Sequence, residues 1–166
     1  MASFTVIKDA GETLVSLLRA GISSDLVNPD DIFLANEVDL RDLSESSLAG
    51  PAITVYLHTL DVDYKLRNNP TDPGLPLNLS YMITPWLGRS GRDGIEAQIL
   101  ARVILIMQSA PVVDPEFRCG DSWGSLDTLQ LVPNPLSHED RCRLWEALRL
   151  PYRLSMNYMA QVFEMQ

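Results

Sequence analysis

The chain is poor in the residues and segments on which nucleic-acid-binding, metal-binding and membrane-spanning proteins depend. It carries 13 Lys and Arg against 22 Asp and Glu, which gives a formal net charge of −9 over 166 residues. Phosphate binding needs concentrated basic residues to displace counterions, so no nucleic-acid partner is expected. The longest apolar run, Val103–Met107, is far too short to span a bilayer, so no membrane partner is expected either.

Cysteine and histidine are equally scarce. The two cysteines, Cys119 and Cys142, do not form a Cys-x-x-Cys motif, and neither stands near a histidine at a known zinc-site spacing. No zinc or other metal site is therefore predicted. The sequence leaves a disulfide between the two open but offers no support for it. The first nine residues lack the charged and apolar regions of a secretory signal, so the cytoplasm is the expected location.

Helical periodicity predicts three amphipathic helices. The first covers Thr5–Ala20, with Gly21 as a stop signal. The second begins at an apparent capping box of Asp93 and Glu96 and continues to about Gln108. Its predicted inward residues are Ile99, Leu100, Val103, Ile104 and Met107. The third follows a cap at Ser137 and ends before Pro151. Leu144, Trp145 and Leu148 form its apolar stripe, and Trp145 is predicted to be a core residue.

Alternation of apolar and polar residues predicts the strands. They are Ile32–Leu34, Pro51–Arg67, Leu77–Thr84, Leu126–Val132 and a final strand from Leu154 to Val162. The long strand changes phase near His58 and Thr59, which indicates a β-bulge. It should form a hairpin with the next strand through a wide loop, Asn68–Leu75. Residues 39–50 and 111–125 are predicted to be irregular. The order predicts a single α+β domain over residues 1–166, in which about three helices cover a mostly antiparallel mixed sheet.

Candidate chemical sites are weak. A lone strand histidine such as His58 is usually structural, and His138 falls in the first turn of a helix, where a surface role suffices. The Gly88–Gly94 loop is not followed by the Lys and Ser/Thr of a P-loop. The acidic run 37–42 lacks the spacing of a calcium loop and favours a solvated acidic face. We therefore predict no catalytic residue, no cofactor and no metal, and a structural protein rather than an enzyme.

Several motifs, in order, resemble those of a known family. The long strand ends in Leu66-Arg67-Asn68, and Pro76-Leu77-Asn78-Leu79-Ser80-Tyr81-Met82-Ile83-Thr84 follows. The next helix carries Glu96 and then Leu100-Ala101-Arg102. The closing motifs are Leu144-Trp145-Glu146-Ala147-Leu148 and Pro151-Tyr152-Arg153-Leu154-Ser155-Met156-Asn157-Tyr158. Together they resemble the tail-terminator, or cap, proteins of phage-tail-like contractile injection systems. Ala97 and Ala101 depart from the histidine and glycine common in that family.

The resemblance implies a tail-terminator-like fold and a homohexameric ring at the end of an inner tube and sheath. The ring would end polymerisation and anchor the last sheath layer, with sheath protein and inner tube protein as partners. It would act in the bacterial cytoplasm, in a particle that can be released. Sheath attachment through a sheet edge, by β-augmentation, fits this role. The residues expected to bind partners are Arg67, Asn68, Asn69, Asp72, Arg153, Ser155 and Asn157. The alternatives are a monomeric cargo or assembly adaptor and a small enzyme.

Overall fold

The computed structural model describes residues 5–45, 48–63, 76–87 and 94–163, which contain four helices and five strands. The helices are α1 (Val6–Gly21), α2 (Glu37–Glu45), α3 (Ile95–Ser109) and α4 (His138–Leu148). The strands are β1 (Ile32–Leu34), β2 (Ala52–Val62), β3 (Leu77–Trp86), β4 (Thr128–Pro133) and β5 (Met156–Phe163). They form one sheet in the order β1-β2-β3-β5-β4, parallel between β1 and β2 and antiparallel elsewhere. The predicted α+β fold with a mostly antiparallel mixed sheet is confirmed.

The first face of the sheet carries the larger core. Successive strand residues point to opposite faces, so Ile53, Val55, Leu79 and Ile83 share one side. Helices α1 and α3 cover that side, and their apolar stripes join the strand residues in one buried cluster. The α1 residues in this cluster are Val6, Ala10, Leu14, Val15 and Leu18, and those of α3 are Ile99, Val103 and Met107. Burial of this apolar area is the main force that holds the fold together.

The second face carries a smaller core, which lies under α2 and α4. Ala52, Tyr56, Met82 and Trp86 point to this side and pack with residues of the two helices. The helix residues are Leu40 of α2 and Trp145 and Leu148 of α4. Strand β3 is therefore buried on both faces over most of its length. The predicted role of Trp145 as a core residue is confirmed, since its ring is almost completely buried.

The predicted bulge in the long strand is confirmed. Leu57 pairs with Tyr81 and Thr59 pairs with Ser80, so the register slips by one residue at His58. This slip keeps the later apolar residues of β2 on the first face. The strand ends at Val62, earlier than the predicted Arg67. Residues 64–75 lie outside the described part of the chain, and with them the hairpin loop and the candidates Arg67, Asn68, Asn69 and Asp72.

The prediction that residues 39–50 are irregular was wrong for their first half, because α2 occupies Glu37–Glu45. Its start is fixed by a reciprocal pair of hydrogen bonds. The Asn36 amide donates to Asp39 Oδ2 at 3.0 Å, and the Asp39 amide donates to Asn36 Oδ1 at 2.9 Å. Leu40 is fully buried. A helix this short can pack on the sheet through a narrow apolar stripe. Because most of its residues are polar, the helix was not recognised from the sequence. The described ranges therefore contain four α-helices rather than about three.

Other details of the predicted elements also differ from the structure. Helix α3 has Gly94 as its N-cap, in the left-handed region at φ +88° and without a side-chain cap, and the predicted capping residue Asp93 lies outside the described residues. Ile104 is 39% exposed rather than inward-facing, because four other residues complete the buried stripe of α3. Strand β5 begins two residues after Leu154, since the chain must first turn away from the end of α4. Within the described ranges, no helix has the length and apolarity needed to cross a membrane.

Candidate partner-binding surface

Three predicted partner-binding residues lie in the described chain, just before and within the start of β5. Met82 of β3 pairs with Asn157. Continuing this register places Ser155 opposite Thr84 and Arg153 opposite Trp86, all on the second face. The Arg153 guanidinium lies 4.4 Å from the centroid of the Trp86 ring, a cation–π contact that agrees with this placement. Ser155 and Asn157 are only 2% and 4% exposed, so Arg153 alone of the three reaches the surface.

A row of buried hydroxyls crosses the second face at this level. Thr54 of β2 pairs with Thr84 of β3, and Ser155 stands next to Thr84 on the far side. The Trp86 indole Nε1 donates to Thr54 Oγ1 at 2.9 Å. By contrast, the hydroxyls of Thr84 and Ser155 have no hydrogen-bond partner. We name Thr54, Thr84 and Ser155 the hydroxyl row.

Helix α4 lies over the hydroxyl row. Ser137 caps its start by accepting from the Asp140 amide at 3.1 Å, as predicted from the sequence. The Trp145 ring packs edge-on against Trp86, with ring centroids 6.3 Å apart. The Trp145 Nε1 and both polar atoms of the Asn157 side chain are buried without partners. The surface under α4 therefore contains several unpaired polar groups beside an aromatic contact.

The outer edge of β2 is open along half its length. Strand β1 pairs only with Ile53–Val55, and the Ala35 amide adds one more bond to Val55 O at 3.0 Å. Among the described residues, no strand pairs with β2 on this side from Tyr56 to Val62. The other edge of the sheet is better protected, because residues 111–113 run beside β4. There the Val113 amide donates to Leu129 O at 2.8 Å.

A mostly apolar cavity of about 340 Å³ adjoins the open edge. Leu34, Val55 and Leu57 contribute to its walls. Tyr81 also lines it, and the Tyr81 hydroxyl is buried without a hydrogen-bond partner. This burial raises the pKa of Tyr81 well above its usual range. An extended segment lying along β2 would pass the mouth of this cavity.

The acidic residue Glu37 has a structural contact that the sequence did not reveal. The Tyr56 hydroxyl donates to Glu37 Oε1 at 2.9 Å and so ties α2 to β2. A backbone hydrogen bond and this hydroxyl lower the pKa of Glu37. Burial, together with the carboxylate, raises the pKa of Tyr56 to about 12. The start of the acidic run therefore stabilises the packing of α2 on β2, in addition to contributing charge to the surface.

The residues considered for chemistry are not brought together. His58 Nδ1 lies 2.8 Å from Thr59 Oγ1, and burial lowers the pKa of His58. His138 Nε2 lies 3.6 Å from Cys142 Sγ, one turn along α4. Cys119 and Cys142 are both free thiols. In the part of the chain described, no three His, Cys, Asp or Glu side chains converge as a metal site would require.

Comparison with known proteins identifies a family and solved structures of similar fold. The sequence profile of the Pvc16 N-terminal domain matches residues 9–166. The fold is similar to the PVC sheath/tube terminator of an extracellular contractile injection system in its extended state. That similarity has a TM-score of 0.67 and 20% identity, over 94% of this chain and 55% of that chain. The anti-feeding prophage cap, a tube terminating cap, is also similar, with a TM-score of 0.61 and 19% identity, over 92% of this chain and 52% of that chain.

The chain therefore spans about half the length of these two proteins. No curated protein sequence matches it.

Proposed function

The chain belongs to the Pvc16 N-terminal domain family, and on that premise we propose that it terminates the tube and sheath of a contractile injection system. The observation that carries this proposal is the similarity of its fold, over nearly the whole chain, to two terminating caps. A structural role also fits the separate positions of His58, His138, Cys119 and Cys142. The chain would then act through packing surfaces and backbone hydrogen bonds rather than through catalysis.

We propose that the working form is a ring of six copies. A closed ring is a heterologous assembly, so each copy must present two different, complementary patches. Light scattering on the purified protein should give a mass about six times 18.5 kDa if the ring forms by itself. If it forms only on a tube end, electron microscopy of capped tubes should show six copies there. A protein that stays monomeric at high concentration and also on tube ends would contradict the ring. That outcome would favour the monomeric cargo or assembly adaptor.

We propose that the open edge of β2 receives an extended segment of the sheath protein. Such β-augmentation takes its affinity from main-chain hydrogen bonds and its specificity from pockets for alternate side chains. The unpaired stretch from Tyr56 to Val62 offers the hydrogen-bonding groups, and the cavity beside Leu57 and Tyr81 offers a pocket. An apolar side chain of that segment would fit this mostly apolar pocket.

This edge can be tested with two exposed leucines. Leu60 lies on the open part of β2 and is 49% exposed, whereas Leu105 lies on α3 and is 57% exposed. A lysine on an edge strand discourages pairing with another strand. Leu60→Lys should therefore leave thermal stability nearly unchanged and weaken sheath attachment. Leu105→Lys should change neither property. Equal sheath attachment in the two variants would contradict the proposed role of the edge.

The hairpin loop from Asn68 to Leu75 is proposed as a second contact, with the tube rim or a neighbouring copy. A loop longer than its turn requires is often kept for contact. The loop contains Asn68, Asn69 and Asp72, and Arg67 directly precedes it. All four residues are predicted to bind partners. Replacing residues 69–74 with Asn-Gly should preserve the fold and weaken capping. Normal tube length and normal sheath attachment in that variant would show that the loop is only a connector.

A further inference from the structure

The polar groups beneath α4 are unusual for a protein interior. Thr84 is fully buried, Ser155 and Asn157 are nearly so, and none of their side-chain polar atoms has a hydrogen-bond partner. The Trp145 Nε1 above them is unpaired as well. Buried polar groups are paired in the great majority of cases, because an unpaired group loses its hydration without replacement. These groups would all recover hydrogen bonds to water if α4 moved away.

Helix α4 is also attached to the sheet by few buried side chains. Of its 11 residues, only Trp145 and Leu148 are buried. Arg41 Nε donates to Leu148 O at 3.3 Å and joins the end of the helix to α2. Leu144 and Leu150 pack against the same cluster but are only partly buried. The burial that holds α4 in place therefore comes mainly from Trp145 and Leu148, and the unpaired groups below oppose it.

Both ends of α4 are suited to act as hinges. Residues 134–137 connect it to β4 without regular structure and include Pro135. At the other end Arg149 takes a left-handed conformation, with φ 59° and ψ 39°, which is strained for a residue with a side chain. Regular structure resumes only at Met156, where β5 begins. Movement of α4 would leave the pairing of β5 with β3 and β4 intact.

A buried hydroxyl on the first face can be compared with the unpaired hydroxyls beneath α4. Thr13 Oγ1 donates to Asp9 O at 2.7 Å and accepts from the Cys119 amide at 2.9 Å. Thr13 and Thr84 are both fully buried, so they differ in pairing and not in exposure. The Thr13 hydroxyl therefore has two partners, whereas the hydroxyls of Thr84 and Ser155 have none.

We propose that α4 is a hinged cover that opens as a unit from the second face, turning about residues 135–137 and 149–152, while Asn134 stays bonded to Asn157 O and Arg153 stays on the Trp86 ring. Opening would expose the hydroxyl row and the Trp86 ring while the remaining sheet stays folded. This inference concerns the isolated protein and does not depend on the proposed role as a terminator.

Hydrogen exchange of the purified chain tests the cover directly. Segments that open locally exchange faster than those that open only on global unfolding. Amides of α4 should exchange roughly a hundredfold faster than amides of β3, β5 and α1, or faster still. Exchange of α4 at the same rate as β3 would show that α4 opens only with the whole domain, and would overturn the proposal.

Two variants make the test specific. Thr84→Val combined with Ser155→Ala removes the unpaired hydroxyls, so it should stabilise the closed state and slow α4 exchange roughly tenfold or more. Thr13→Val is the matched control, because it removes a paired hydroxyl away from α4. It should leave the exchange rate of α4 unchanged. Unchanged or faster α4 exchange in the double variant would also overturn the proposal, and circular dichroism would confirm that each variant is folded.

Discussion

The two faces of the sheet differ in how their buried polar groups are paired. On the first face, Asp9 and Thr13 of α1 have partners that fasten the irregular segment around Cys119 and Ser122 to the helix. On the second face, Thr84 and the other groups beneath α4 have none. Two hydroxyls are also unpaired on the first-face side, that of Ser122 in the same segment and that of Tyr81, a residue that lines the cavity at the open edge. The comparison therefore concerns how the two helices are held: polar groups of α1 are paired, whereas several unpaired polar side chains lie together beneath α4.

The largest effects are expected from core truncations, one on each face. Trp145→Ala removes the main contact of α4 and should lower the free energy of unfolding by about 3–5 kcal/mol. Leu14→Ala, in the core under α1, should lower it by about 2–5 kcal/mol. Denaturant unfolding of both variants measures these losses. If Trp145→Ala unfolds like the wild type yet fails to assemble, Trp145 belongs to an interface and not to the core of the second face.

A smaller effect is expected from the glycine that contacts Asp9. Gly120 has φ +84°, and a Cβ atom built there would lie 2.1 Å from Asp9 Cγ. Gly120→Ala should therefore destabilise the protein by about 1–2 kcal/mol through the left-handed backbone alone, and the clash adds to this. Gly50→Ala is the control, because no atom lies within 4 Å of the added Cβ. Equal melting temperatures of the two variants would show that this segment is not tightly fastened to α1.

The same substitution at two buried threonines sharpens the comparison further. Thr13→Val leaves the Cys119 amide without its acceptor and should cost about 1–3 kcal/mol. Thr84→Val removes a group that has no partner, so it should be neutral or stabilising by about 1 kcal/mol. Chemical denaturation of both variants gives the two values. Similar losses at both positions would mean that Thr84 does have a partner in solution, and the difference between the faces would disappear.

The smallest effect concerns His58 at the bulge. Burial lowers the pKa of His58 from its ordinary value of 6.5, so the unfolded chain binds a proton at a higher pH than the folded chain does. Stability from this group is present above pH 6.5 and is lost as the pH falls from that value through the lower pKa of the folded state. Between about pH 7.5 and about pH 5 the melting temperature should fall more in the wild type than in His58→Gln. All other ionisable residues are the same in both proteins, so equal falls would contradict this assignment.

Much of the fold could be predicted from periodicity alone. The spacing of apolar residues located α1, α3 and α4 and the four longer strand segments to within a few residues. The phase change at His58 located the bulge, because a strand can keep one face buried across such a change only by slipping its register. The stripe of Leu144, Trp145 and Leu148 correctly indicated the core contact of α4.

The remaining features depend on contacts between distant segments. Helix α2 was missed because its stability comes from the Asn36–Asp39 cap and from burial of Leu40 rather than from a broad apolar face. The hydroxyl row was missed because Thr54 and Thr84 lie 30 positions apart, and only strand pairing brings them together. The feature of the sequence that could have indicated this row is the presence of threonines within long apolar strands. Ser155 and Asn157 belong to a motif of the family that the sequence resembles, but the motif does not show that both are buried.

Electron microscopy of particles assembled with and without this chain tests the proposed function most directly. If the chain terminates the assembly, particles made without it should have tubes of variable length and a sheath that is not anchored at the end away from the baseplate. Restoring the wild-type chain should restore uniform tubes with a ring at that end. Uniform tubes with a normally anchored sheath in the absence of the chain would contradict the account.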